Sequence, residues 1–283
     1  MASSYLNIIT FLLTTLFYYM AIKPSLNYDI LTDPKKYKDF ISNSHLYLAV
    51  YFLLVVIIQF IVNSSIISSN CGGSITENMG SAGLLTFLPW LFIFGVMITV
   101  LLIYPGFKSA FSDVIGYYYV SGSANKILTE LLIDKDVETQ MDKDSEMTKE
   151  KREALETAAD AIIKICGNTA ILINQIVPSN FVEYWNILKP LMKEKYKLGV
   201  GDVIEKRNEL FELVVTRDNI GEAMWFMYTG LLLTSIVQLK ISTKGCVSNP
   251  KTMEQNYQKF LDAETEAKQK QTQATSTTYT ITG

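Results

Sequence analysis

The hydrophobic pattern is dominated by four long uncharged runs, apolar around the whole circumference of a helix and divided by polar segments. The first lies within residues 1–22 and ends in Tyr18 and Tyr19 before Lys23. It reads as a spanning, uncleaved helix. A signal peptide is the rival, but no basic residue precedes the run and its end is bulky rather than small. The second run starts at Leu46 and stays uncharged until Glu77; its Val, Ile and Leu residues fall on every face. The third runs from Gly83 to Tyr104, with Pro89 and Trp90 near its start, and its aromatics fit interfacial belts. The fourth, Ala223 to Leu239, has 17 residues bracketed by Glu222 and Lys240. At about 25 Å it is either a short span or a buried core helix. Crossing is the favoured reading, because Trp225 and Tyr228 mark one end and polar residues flank both.

The polar segments predict the rest. Residues 23–44 read as a loop with one short helix, since Pro24 and Pro34 stop helices. Residues 63–83, rich in Ser, Gly and Asn, read as a second loop holding Cys71. From Pro105 to Glu222 the chain turns soluble in character. Tyr117, Tyr118 and Tyr119 there can face headgroups or pack in a core. Residues 134–146 read as a solvated linker. Three helices follow: one over 149–177; one from Asn180 to Tyr196, kinked at Pro190; and one opened by Asp202 and Glu205. Asn219 with Glu222 signals a further helix start before the fourth run. Thr252 to Lys270 can form an amphipathic helix around Met253, Tyr257, Phe260 and Leu261. The expected fold is therefore all-α: an integral membrane protein with four transmembrane helices and a soluble helical domain between the third and fourth. Its parts are a three-span region (1–104), a helical extramembrane domain (105–222), the fourth span (223–239) and a polar, partly disordered or partner-ordered tail (240–283).

Composition agrees with a bilayer as solvent. Of 283 residues, 49% are hydrophobic and the mean hydropathy is +0.19, high for a soluble chain. The net charge of -3 and the interspersed lysines leave no basic face for nucleic acid. With one histidine, His45, and three cysteines, zinc and most catalytic constellations are thinned out. Gly199-Val200-Gly201 lacks the rest of a dinucleotide fingerprint and reads as a turn. The soluble region's carboxylates are explained by capping and solvation. No Asp, Glu, Lys or Arg lies within the four runs, which disfavours a transporter or pump; a small membrane channel or transporter is the alternative function. Gln59 and Gln238 are the polar candidates there, and hydrogen bonding between helices is the simpler account. Neither a catalytic residue nor a cofactor is expected.

Charge also gives a topology. Lys23 to Ser44 carries four lysines and Asn63 to Gly83 none, so the first loop faces the cytosolic side and Cys71 the other. If the fourth run crosses, Cys246 joins Cys71; if not, the bilayer separates them. Lys240, Lys244 and Lys251 oppose the crossing.

Two blocks resemble a membrane protein family of the nucleocytoplasmic large double-stranded DNA viruses, the algal and giant-virus group. One is YPGFKSAFSDVIGYY, with Pro105, Gly106, Phe107, Phe111, Ser112, Gly116 and Tyr117. The other is RDNIGEAMWFMYTGLLLTSI, with Arg217, Asp218, Trp225 and Gly230, followed by Cys246. Cys71 and the Pro89-Trp90 pair precede them in the family's order, over about a third of the chain in all. Phe107 stands where the family favours Trp, and Asp113-Val114 where it favours Asn-Thr. The resemblance implies a minor capsid protein in the internal membrane beneath an icosahedral shell, assembled from a host intracellular membrane. Its partners would be the bilayer, the major capsid protein and other minor capsid proteins.

The topology makes a covalent prediction: Cys71 and Cys246 form a disulfide and Cys166 stays a free, buried thiol. Three unpaired cysteines are the rival, because spacing alone does not establish proximity. Non-reducing peptide mapping should recover the Cys71–Cys246 cross-link; finding both residues alkylatable would remove it.

Overall fold

The computed structural model describes residues 5–71, 74–132, 168–197, 202–243 and 250–275, and every element among them is helical. The first helix, α1 (Leu6–Phe17), runs on through a π turn (Tyr18–Ile22) and stops at Lys23 and Pro24. After it comes α2 (Tyr28–Thr32), capped by the Asn27 side chain accepting from Ile30 N. Asp33 then caps α3 (Pro34–Cys71) by accepting from the amides of Lys35 and Lys36 at 2.9 and 3.1 Å, with Pro34 at the first helical position.

α3 meets no internal Gly or Pro over 38 residues, so most of the two expected loops is helical. α4 (Ile75–Pro89) begins well before Gly83. Pro89 removes one amide from the ladder; a π turn (Trp90–Phe94) follows, and α5 (Gly95–Ile103) completes the run before Pro105. A 3-10 turn (Pro105–Lys108), the short α6 (Ser109–Phe111) and a π turn (Ser112–Gly116) lead into α7 (Tyr117–Leu131). Then come α8 (Thr169–Gln175), α9 (Phe181–Leu188), α10 (Glu194–Lys197), the 42-residue α11 (Asp202–Thr243) and α12 (Pro250–Thr275). Pro190 ends a helix instead of kinking one: α9 gives way to a 3-10 turn (Lys189–Leu191). Residues 134–146 and most of the expected 149–177 helix lie outside the described residues.

Three helical stretches are long and apolar enough to cross a membrane: Pro34–Cys71, Asn78–Ile103 and Asp202–Thr243. Leu6–Ile22 is a shorter apolar helix. All four pack together. Phe11, Tyr51, Trp90, Phe94 and Phe226 are buried at the centre, with Tyr51 stacked on Tyr18 at 4.4 Å and on Phe226 at 5.4 Å between ring centroids. Trp90 is thus a core residue, not part of an interfacial belt. The outward faces carry exposed Leu13, Leu53, Ile57, Phe92, Leu232 and Ile236, an apolar exterior suited to lipid.

Side-chain amides tie the bundle internally. Asn7 Nδ2 donates to Asn63 Oδ1 at 3.1 Å and to Gln238 Oε1 at 3.2 Å. Asn63 Nδ2 donates to Thr86 Oγ1, and Gln59 Nε2 to the Asn7 carbonyl, both at 3.0 Å. One network therefore joins α1, α3, α4 and α11, because a polar group sheltered from water needs a partner. A second core lies beside the bundle, where Ile127, Leu128, Leu131, Phe181, Trp185 and Phe211 are buried. Tyr117 packs on it, whereas Tyr118 and Tyr119 are exposed. α11 belongs to both cores, and no helix starts at Asn219 or Glu222.

At Gly230 a side chain would strike the buried ring of Phe11, whereas at Gly106 it would meet open space. Gly230→Val should therefore cost about 1–3 kcal/mol of unfolding free energy, and Gly106→Ala less than about 0.5 kcal/mol. Thermal unfolding in micelles checks both, and equal effects would contradict the close helix approach.

Candidate functional site

At the end of the bundle where α1 and α5 stop, the charges bordering the apolar runs converge. Lys23 ends the first run, Lys108 follows α5, and Asp218 and Glu222 sit one turn apart on α11. Glu222 Oε1 accepts from Lys23 Nζ and, at 3.0 Å, from Tyr19 Oη; its Oε2 lies 3.0 Å from Lys108 Nζ. Lys108 Nζ also donates to Asp218 Oδ2 at 2.8 Å. The four charged side chains are only 12–19% exposed, so each needs its partner close at hand. Burial alone would lower the pKa of the Lys108 ammonium; Glu222 and Asp218 outweigh it and raise that pKa above the usual lysine value.

Directly before Asp218 on α11, Arg217 is 1% exposed and reaches into the second core. Its Nη1 donates to the Ile173 carbonyl and, at 3.0 Å, to Asn174 Oδ1; its Nη2 donates to the Ile176 carbonyl at 2.9 Å. These groups lie at the C-terminal end of α8, where carbonyls lack helical partners and the helix dipole is negative. Asp113 adds a carboxylate 3.7 Å away. The guanidinium fork suits this role, since one side chain serves several acceptors.

The Pro105–Tyr117 and Arg217–Gly230 blocks pack face to face here. Phe107 gives its carbonyl to Trp225 Nε1 at 2.8 Å, and Phe111 meets the Trp225 ring edge-on at 5.1 Å between centroids. A side chain on Gly116 would strike the Arg217 backbone, and one on Gly221 would strike Ser112, which is buried. These glycines let the Ser112–Gly116 turn cross α11 at backbone contact. Pro105 starts the 3-10 turn that brings Lys108 to Glu222.

Cys71 and Gly230 lie elsewhere. Cys71, at the opposite end of the bundle, is disulfide-bonded and packs with a cluster that includes Val237 and Ile241 of α11. Cys246 and Cys166 lie outside the described residues. Among the described residues no group of three His, Cys, Asp or Glu side chains could hold a metal.

Sequence reasoning had assigned Glu222 to a helix cap and the carboxylates of 105–222 to solvated faces; Glu222 and Asp218 are instead buried ion partners in mid-helix. A signal for this was present. Lys23 and Glu222 border their apolar runs on the same predicted side of the membrane, and opposite charges there gain by meeting. A cavity of about 410 Å³ opens beside the cluster, with His45 in its wall.

No protein-family model, curated protein or solved structure matches the chain.

Glu222 is shared by two lysines, whereas Asp218 serves one. Glu222→Ala should cost about 3–5 kcal/mol, the scale for breaking a buried pair, and Asp218→Ala less, as measured by unfolding in micelles. Equal losses would contradict the shared counterion.

Proposed function

We propose that the chain is a structural membrane protein of a virion, holding the internal viral membrane to the capsid shell. In this reading Leu6–Ile22 crosses the bilayer with the three longer helices, giving four spans. The second core then forms the extramembrane domain, and Cys71 and α12 face the other side. Supporting the link is the unbroken α11, shared by both cores over roughly 60 Å of helix and held at its middle by the Lys23–Glu222–Lys108 cluster. A connection of this kind transmits position from membrane to shell without a hinge. The virion setting comes from the resemblance of the Pro105–Tyr117 and Arg217–Gly230 blocks.

A channel or transporter would have to use the amides within the bundle. Asn7, Gln59, Asn63 and Gln238 hydrogen-bond within one buried network, which argues for helix association instead.

Lysine-reactive cross-linking of purified virions should join Lys126, Lys189 or Lys195 to the major capsid protein or a minor one. Absence of the chain from purified virions, or reproducible ion flux through the purified chain in liposomes, would reject the structural reading.

A further inference from the structure

The cavity beside the charged cluster has two unlike walls. Leu48, near the start of the apolar run of α3, and Leu101, near the end of α5, are both buried and line it, and the half-exposed Leu102 carries that wall onto the apolar exterior of the bundle. The opposite wall carries Lys23, Lys108, Asp218 and Glu222, already fixed as ion pairs, together with the Asp113 carboxylate, which lies 3.7 Å from Arg217. Between the walls lies the Ser44 hydroxyl, which is buried and has no hydrogen-bond partner. A buried hydroxyl without a partner is costly unless something else supplies one. At about 410 Å³ the space falls in the range of small-molecule sites, roughly 300–1,000 Å³.

The chemistry narrows the occupant. An anion held by the lysines would also face Glu222 and Asp218, and a cation held by the carboxylates would also face the lysines. A zwitterion satisfies both, with phosphate toward the ammonium groups and its own ammonium toward the carboxylates. A primary ammonium donates hydrogen bonds to those carboxylates; a quaternary one has none to give. Because the cavity lies where the uncharged runs end, hydrocarbon chains attached to such a head can follow the leucine wall into the bilayer. We propose that the cavity seats one phospholipid whose zwitterionic head carries a primary ammonium, held by the Lys23–Glu222–Lys108–Asp218 cluster and Ser44. This inference rests on the reading that the bundle lies in a bilayer and is independent of the capsid link.

The test uses the full chain in phosphatidylcholine nanodiscs doped with a minor fraction of either phosphatidylethanolamine or phosphatidylglycerol, released into native mass spectrometry. One retained phosphatidylethanolamine per chain is expected, roughly tenfold over phosphatidylglycerol. Ser44→Phe fills the cavity without removing a charge and should abolish the adduct. Ser44→Ala removes only the hydroxyl and should weaken it, which keeps the test decisive if the larger residue disturbs folding. Wild-type chain that enters nanodiscs yet retains no phosphatidylethanolamine, retains phosphatidylglycerol equally, or keeps its lipid unchanged in Ser44→Ala overturns the proposal alone. A chain that fails to enter nanodiscs overturns the bilayer reading with it.

Discussion

The Glu222 carboxylate, held between Lys23 and Lys108, is the contact on which the arrangement of the other elements depends. It lies where α1 ends, where the chain leaves α5, and midway along α11. Three segments far apart in sequence are brought to one point by charges that a low-dielectric boundary cannot leave unpaired. α11 in turn carries a face of the apolar bundle on one side of that point and a face of the second core on the other. A break there would uncouple the two.

Inside the bundle the same problem is solved without charge. Helices in lipid gain little from apolar contact with each other, because the chains around them are equally apolar. Association then rests on close packing and on hydrogen bonds made away from lipid. Phe11 lying on Gly230 provides the first, and the amides of Asn7, Asn63 and Gln238 provide the second. Aromatic rings fill the remaining centre. The pattern places aromatic rings and a few hydrogen-bonded amides inside and an aliphatic surface outside.

Arg217 shows how the second core is keyed to the bundle. α8 has only 7 residues, too short to stand alone, and its last carbonyls are satisfied by a guanidinium borne on another helix. Asp113, on the turn between α6 and α7, adds the counter-charge, and Gly116 on the same turn allows the backbone approach. Pairing the Pro105–Tyr117 block with the Arg217–Gly230 block is what aligns donor, counter-charge and carbonyls.

The helical class and the apolar runs were legible in the chain itself, because lipid-facing helices must be apolar around their circumference and charges mark their ends. The start at Asp202 was legible too, since caps act locally, whereas Pro34, read as a helix stop, opens α3 instead. Helix continuity was not: α3 runs through two stretches read as loops, and α11 through Asn219, because a local start signal does not terminate a helix that packing favours on both sides. Trp90 looked interfacial and lies in the core; Glu222 looked like a cap and is a buried counterion. Uncharged length is a property of the sequence. Which charges neutralise each other, which amides meet, and which glycines are pressed by a neighbour are set by distances between segments up to 231 residues apart, such as Asn7 and Gln238. Only the tertiary structure decides those.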